Sequence, residues 1–241
     1  DWLIAINSIT VGDTARGRAL LDTYLSVDVD RTGFDYVDYY GIGYGGMAEI
    51  ALAEGDLAEG LRRYAEAVGV FVDDGAAQRE TLTNPWMTML GAAELVVHVR
   101  AHSAGPEEIA PGTVTWQATD ELARRLRVRV LVYTRLSTWY VDKPVLGSGL
   151  LGYAVWMLDP RTAAGRDDRW VATGLELVGL AARLNSRQDL ASMQRKRLSA
   201  PIVAAWGAER LEAAVEAASG LSLEEASARG LELLRSAKPA R

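Results

Sequence analysis

Apolar residues recur at helical spacing along most of the chain, and a short polar turn is repeated between two of these segments. The turn Val11-Gly12-Asp13-Thr14-Ala15-Arg16-Gly17 returns 43 residues later as Glu54-Gly55-Asp56-Leu57-Ala58-Glu59-Gly60. In each copy the first Gly suits the left-handed conformation that ends a helix, and the Asp after it suits the N-cap of the next helix. The pattern therefore predicts a helix, a tight turn and a second helix, used twice.

Pairs of a large and a small apolar residue recur with the same period, at Ile4-Ala5, Met47-Ala48 and Leu90-Gly91. The small member of each pair lets a neighbouring helix approach closely. A fixed period of this size is typical of helical repeat arrays, which bind other molecules more often than they catalyse reactions. We therefore expect an all-α fold, an irregular right-handed superhelix of about five helical pairs.

The segment Arg127–Tyr133 is ambiguous because its polar and apolar residues alternate as in a strand. Its apolar positions also continue one helical stripe, and an isolated strand would have no partner, so we predict a helix. Further helix starts are predicted at Asn84-Pro85, at Ser199-Ala200-Pro201 and at Ser222-Leu223-Glu224-Glu225. Turn-forming residues predict connections at Asp28–Asp35, Asp73–Thr83, Ser103–Gly112, Val141–Gly147 and Asp159–Asp167.

Composition narrows the class of protein. The net charge of −6 argues against direct contact with nucleic acid, since neutralising phosphates needs a basic face. No uninterrupted apolar run approaches the roughly 18 residues of a membrane span, and the absence of Cys suits a reducing cytoplasm. We therefore expect a cytoplasmic protein with one helical-repeat domain over residues 1–241. Its start at Asp1, directly on an apolar segment, suggests a fragment of a larger protein.

Two motifs resemble ligand-binding sites, but the residues around them do not complete either site. The run Gly41–Gly46 matches the dinucleotide fingerprint, which needs a preceding strand and a long following helix, whereas Gly55 is expected to end this helix early. The segment that starts at Asp28 has oxygen ligands at the first positions of a calcium loop, but Tyr39 stands where a bidentate Glu is required. We interpret the first as a close helix contact and the second as a polar loop, and we expect no cofactor.

One cluster supports an alternative from another class of protein. Glu94, His98 and His102 lie at four-residue spacing and could project from one helical face to hold a metal ion. This arrangement allows a stand-alone metal-binding protein or hydrolase. The solvated face of a helix is the simpler interpretation, since no Glu lies between the two His residues to complete the hydrolytic motif. We favour a protein that is not an enzyme.

Two sets of residues carry family resemblances. The first set is Tyr44, Met47, Ala48, Ala51, Gly55-Asp56, Gly60, Tyr64 and Ala67, and it resembles a tetratricopeptide repeat, although Val72 replaces the usual helix-ending Pro. The second set is Asp142–Ser148, Gly152, Trp156–Leu158, Leu184–Arg187, Ser192-Met193 and Leu221–Ala226. It resembles the C-terminal helical region of large actinobacterial antibiotic-regulatory-protein (SARP-type) transcription activators, or of the related large LuxR-type ATPase regulators.

The resemblance implies a tetratricopeptide-like regulatory module of a multidomain bacterial transcription regulator. Its expected partners are the ATPase and DNA-binding domains of the parent regulator, or a protein or small-molecule effector that it senses. The register of the repeats places a concave binding face on the first helix of each pair. In the second and third repeats this face is expected to consist of Ile42, Gly45, Glu49, Leu52, Thr88, Ala92 and Leu95.

Overall fold

Helices provide the regular structure of the chain in a computed structural model that describes residues 2–28, 34–70, 84–136 and 141–237. Within these ranges there is no strand, so the all-α prediction is confirmed. The helices are α1 (Trp2–Thr10), α2 (Thr14–Leu25), α3 (Phe34–Ala53), α4 (Leu57–Val70), α5 (Pro85–Ala101), α6 (Trp116–Leu136), α7 (Lys143–Leu158), α8 (Pro160–Ala163), α9 (Asp168–Arg183), α10 (Arg195–Trp206), α11 (Ala208–Ser219) and α12 (Leu223–Ser236). A 3-10 turn, Ala191–Met193, lies between α9 and α10.

The repeated turn has the same geometry in both copies. Gly12 and Gly55 adopt left-handed φ angles of 91° and 87°. The carboxylate of Asp13 accepts a hydrogen bond from the N–H of Arg16 at 3.1 Å, and Asp56 accepts one from Glu59 at 2.9 Å. The predicted helix, turn and helix are therefore confirmed at both places, because Gly removes the steric penalty of positive φ and Asp caps the next helix.

Successive helices pack in a regular order that sets the position of the candidate site. The helices α3, α5, α7, α9 and α11 form a central series in which each contacts the next. The helices α2, α4 and α6 pack beside this series, and α12 packs against α7 and α9. One cluster of buried apolar residues extends from Trp2 to Ala237. Burial of this apolar surface is the main stabilising term of the fold.

Small residues set the closest contacts within the central series. Every residue of α7 from Val145 to Leu158 is buried, and this stretch carries no charge. A Cβ placed on Gly152 would lie 2.9 Å from the Cβ of Ala92, so α5 and α7 approach to near backbone contact. The run Gly41–Gly46 lies within α3, where Gly45 faces Leu90. The interpretation of this run as a close helix contact is therefore confirmed.

Several local predictions are confirmed and two are wrong. Arg127–Tyr133 is helical, and α5 and α12 begin at Asn84-Pro85 and Ser222 as expected. Val141–Gly147 is not an extended connection, because Asp142 caps α7 and the helix begins at Lys143. Pro201 lies inside α10, whose side chains Leu198 and Ile202 are buried, and their burial outweighs the backbone hydrogen bond that Pro cannot donate.

The remaining expectations have mixed outcomes. The connection Asp159–Asp167 contains the short helix α8, whereas Ser103–Gly112 is non-helical throughout, as predicted. The predicted calcium-loop ligands and the connection Asp73–Thr83 fall mainly outside the described residues. Within the described residues, no helix has the length and apolar character needed to cross a membrane.

Candidate interaction face

The seven residues of the predicted concave face lie on α3 and α5, and the structure places most of them inside the fold. All except Leu52 are buried; Leu52 is half-buried. The expectation of an open face is therefore corrected. Gly45 packs on Leu90, Ala92 packs under Gly152, and a Cβ on Gly149 would lie 3.3 Å from Thr88. Apolar residues on both helices gain more by packing than by facing water, so the face is covered.

The cover over Glu49 is a segment of the same chain. We define the return segment as Leu184–Gln194, which joins α9 to α10 and contains the 3-10 turn. This turn packs against α3, α5 and α10. Residues 184, 186, 190, 191 and 193 of the segment are buried, so it belongs to the interior and not to the surface.

Glu49 is the centre of a buried polar network between α3, α4 and the return segment. Its Oε1 accepts hydrogen bonds from the hydroxyl of Tyr64 and from Ser192 Oγ, the latter at 2.5 Å. Its Oε2 accepts the backbone N–H of Ser192 at 3.0 Å. Both carboxylate oxygens are therefore paired, as a buried carboxylate requires.

The interior changes the acid–base properties of this network. Burial raises the pKa of Glu49, although the hydrogen bonds from Ser192 and Tyr64 act in the opposite direction. Burial, followed by the Glu49 carboxylate, raises the pKa of Tyr64 well above its usual value. Tyr64 therefore keeps its proton and serves as a hydrogen-bond donor to Glu49.

The return segment has a second point of attachment near Trp86. The backbone N–H of Arg187 donates to Ser148 Oγ at 3.0 Å, and its guanidinium lies 5.5 Å from the centre of the Trp86 ring. Trp86 contacts Trp2 edge to face, with ring centres 5.2 Å apart, and Trp2 Nε1 donates to the carbonyl of Ile42 at 3.1 Å. The segment is thus fixed by one carboxylate, one hydroxyl and one aromatic ring.

The alternative metal cluster is not assembled in this structure. His102 Nε2 lies 2.9 Å from Thr119 Oγ1, and the imidazole ring stacks on Trp116 with centres 3.8 Å apart. Glu94 Oε2 and His98 Nδ1 are buried and have no hydrogen-bond partner among the described residues. In the part of the chain that the structure describes, no group of three His, Asp or Glu side chains is placed to hold a metal ion.

Glu94 is buried close to the guanidinium group of Arg129, which is also buried. Burial raises the pKa of Glu94 to about 7, although the guanidinium groups of Arg129 and Arg125 act in the opposite direction. Burial, with a smaller contribution from His102, lowers the pKa of His98 to about 4. The buried Arg129 fits because Gly91 has no side chain, since a Cβ there would lie 2.7 Å from Arg129 Nη1. Glu94 and His98 are thus titratable groups held in the core.

Two cavities lie around the short helix α8 and the turn that follows it. One cavity of about 240 Å³ is lined by residues from α6, α7, α8 and the turn after α8. A neighbouring cavity of about 380 Å³ shares Arg166 with it and reaches Trp170 and the end of α12. Sequence patterns gave no sign of either cavity, because their walls come from segments distant along the chain.

The geometry defines an all-helical protein whose central helices hold an internal segment through a buried carboxylate. In comparisons with known proteins, no family model, no curated protein and no solved structure matches the chain. Sequence reasoning found Glu49 as a face residue but missed Tyr64 and Ser192 as its partners. The signal available for this network was Glu49 itself, which is the one charged residue in the apolar part of α3 from Gly41 to Ala53.

Proposed function

We propose that this chain is a non-catalytic interaction module, the partner- or ligand-sensing region of a multidomain bacterial transcription regulator. In this proposal its helical pairs form a tetratricopeptide-like superhelix, and its partners are the ATPase and DNA-binding domains of the parent regulator or an effector. The repeated turn at Gly12 and Gly55 and the central series of helices support the repeat architecture. The family resemblance of the sequence supports the regulatory role.

One observation carries the interaction part of the proposal. Glu49 binds the return segment at its 3-10 turn, through both the N–H and the hydroxyl of Ser192. A helical face that holds a turn by its backbone and one side chain has the means to recognise a peptide segment. We propose that a partner segment competes with the return segment for Glu49 and Trp86, so that partner binding and release of this segment are coupled.

The test is crosslinking mass spectrometry on the full-length gene product. We expect winged-helix and P-loop sequences in the same polypeptide, and crosslinks between this chain and the nucleotide-binding domain. Glu49→Ala should change the pattern of these crosslinks, because it removes the carboxylate that holds Ser192 of the return segment. The matched control is Glu54→Ala, since Glu54 is an exposed acidic residue of the same repeat and pairs only with Arg18 among the described residues.

Two results would reject the proposal. A full-length protein without a nucleotide-binding or DNA-binding domain would remove the regulatory role. Stoichiometric zinc in the purified protein, lost after His98→Asn, would favour the alternative metal-binding function. An unchanged crosslink pattern in Glu49→Ala would reject only the role of the α3 and α5 face and would leave the regulatory role standing.

A further inference from the structure

The cavity beside α8 combines aromatic walls with charged groups at its mouth. We call it the α8 cavity, and its main lining residues are Trp116, Asp120, Trp156, Arg161, Thr162 and Arg166. Trp156 is 1% exposed, so it forms the inner wall, whereas Arg161 and Arg166 are exposed. At about 240 Å³ the cavity is smaller than the sites of drug-sized ligands, and it suits a molecule of one or two fused rings.

The indole rings of the α8 cavity are held in place by other contacts. Trp116 has one face stacked on His102, with the two ring planes inclined by 8°. Trp156 Nε1 donates to Asp120 Oδ1 at 3.0 Å, which fixes both side chains. A planar aromatic ring therefore meets rigid aromatic surface with little entropy to lose on binding.

The polar groups of the cavity include donors that the protein itself does not fully use. Arg161 donates one Nη1 hydrogen bond to the carbonyl of His102, at 2.6 Å, and its guanidinium carbon lies 5.8 Å from the centre of the Trp116 ring. The other N–H groups of this guanidinium donate no hydrogen bond among the described residues. Arg166 lies over the ring of Trp170, with 4.5 Å to the ring centre. Thr162 Oγ1 is buried and has no hydrogen-bond partner among the described residues. A guanidinium group matches a carboxylate in geometry and charge, so each of these two lining arginines is suited to pair with one.

The charge balance of the cavity favours one negative charge on the ligand. Two guanidinium groups and the single carboxylate of Asp120 leave one positive charge. Asp159, the N-cap of α8, keeps its negative charge but is not a lining residue, and its carboxylate accepts the backbone N–H of Arg161 at 2.9 Å. Burial, followed by the Arg161 charge, lowers the pKa of His102, so its ring is neutral near pH 7 and adds no charge.

We propose that the α8 cavity binds a small planar aromatic carboxylate, with the ring against Trp116 and Trp156 and the carboxylate on Arg161 and Arg166. The inference rests on the proposed sensing function for its biological role, and it names the class of effector. A ligand held this way connects the start of α6 to the end of α7 and to α8. It therefore stiffens a junction that otherwise has a cavity.

Isothermal titration calorimetry on the whole chain tests this proposal with indole-3-carboxylate as the probe. We expect one binding site, with indole-3-carboxamide and acetate each binding at least about tenfold more weakly, because one lacks the charge and the other lacks the ring. Arg166→Gln should weaken binding of indole-3-carboxylate at least about tenfold. Arg16→Gln, at an exposed position of α2, is the matched control and should bind as the unchanged protein does.

Three results would overturn the proposal: no heat from indole-3-carboxylate at millimolar concentration, equal binding of the carboxamide, or unchanged binding by Arg166→Gln. Because Arg166 is exposed, its replacement should leave the fold intact, which thermal unfolding checks. The titrations use this chain alone, whereas the proposed function is tested by contacts between domains of the full-length protein. A failure of the titrations therefore does not affect the crosslinking result, and a failure of the crosslinking test does not affect the titrations.

Discussion

The two buried titratable groups on α5 should make opposite contributions to the pH dependence of stability. Burial raises the pKa of Glu94 from 4.5 to about 7 and lowers the pKa of His98 from 6.5 to about 4. One pKa unit corresponds to about 1.4 kcal/mol, so each group changes the free energy of unfolding by roughly 3 kcal/mol across its own interval. The replacements Glu94→Gln and His98→Asn remove these contributions one at a time.

The signs follow from which state binds the proton. Between pH 4.5 and 7 folded Glu94 keeps a proton that the unfolded chain releases, so stability falls as the pH rises. Between pH 4 and 6.5 folded His98 lacks a proton that the unfolded chain binds, so stability rises with pH. In the shared interval from pH 4.5 to 6.5 the two slopes, each about 1.4 kcal/mol per pH unit, nearly cancel.

Urea unfolding followed by circular dichroism at several pH values between 4.5 and 6.5 measures these slopes. The free energy of unfolding of each variant is compared with that of the unchanged protein at the same pH, so that all other titrating groups drop out. The difference is the free energy of unfolding of the variant minus that of the unchanged protein. We expect this difference to rise with pH for Glu94→Gln and to fall with pH for His98→Asn. If neither difference changes with pH, or if both change in the same direction, the assignment of these two groups to a dry interior is refuted.

Two further predictions concern packing and the polar network. Glu49→Ala leaves the N–H of Ser192 without its acceptor and opens a small cavity, so unfolding should become easier by about 2–5 kcal/mol. Glu49→Gln keeps one acceptor and should cost less than about 2 kcal/mol, and equal losses in urea unfolding would contradict the network. Gly152→Ala should cost about 1–3 kcal/mol, since its Cβ would lie 2.9 Å from that of Ala92. Gly69→Ala, which meets no atom within 4 Å, should stabilise α4 by about 0.5–1 kcal/mol, and a thermal melt that shows similar losses at both positions would contradict this.

Local chemistry explains which parts of the fold could be predicted from the sequence. The turns at Gly12 and Gly55 depend on residues within one helical turn of each other, so the Gly-Asp pair was enough to place them. Asn84 and Ser222 are similar cases, because an N-cap needs only the backbone N–H groups that follow it. The helix start predicted at Pro201 is wrong because the burial of Leu198 and Ile202, a tertiary effect, decides where α10 begins.

The candidate site could be predicted only in part because its contacts are distant along the chain. Glu49 and Ser192 are 143 residues apart, and no periodic pattern relates an α3 position to the return segment. The repeat register could not show that the chain itself covers Glu49. The walls of the α8 cavity likewise come from α6, α7 and α8, and only packing brings them together.

The hydrogen-bond partners of Glu49 and Glu94 indicate what each buried carboxylate contributes. A buried charge is seldom the most stable choice, because apolar residues of similar volume often stabilise a core as well or better. Glu94 has one oxygen without a hydrogen-bond partner among the described residues, and with a pKa of about 7 it is charged only in part near pH 7. Glu49 instead has both oxygens paired, and both reach the same residue of the return segment. An apolar side chain at position 49 would hold that segment without fixing its register, whereas the carboxylate accepts only a correctly placed N–H and hydroxyl. We therefore infer that Glu49 contributes specificity for the segment it binds more than stability, which is the property that a recognition face requires.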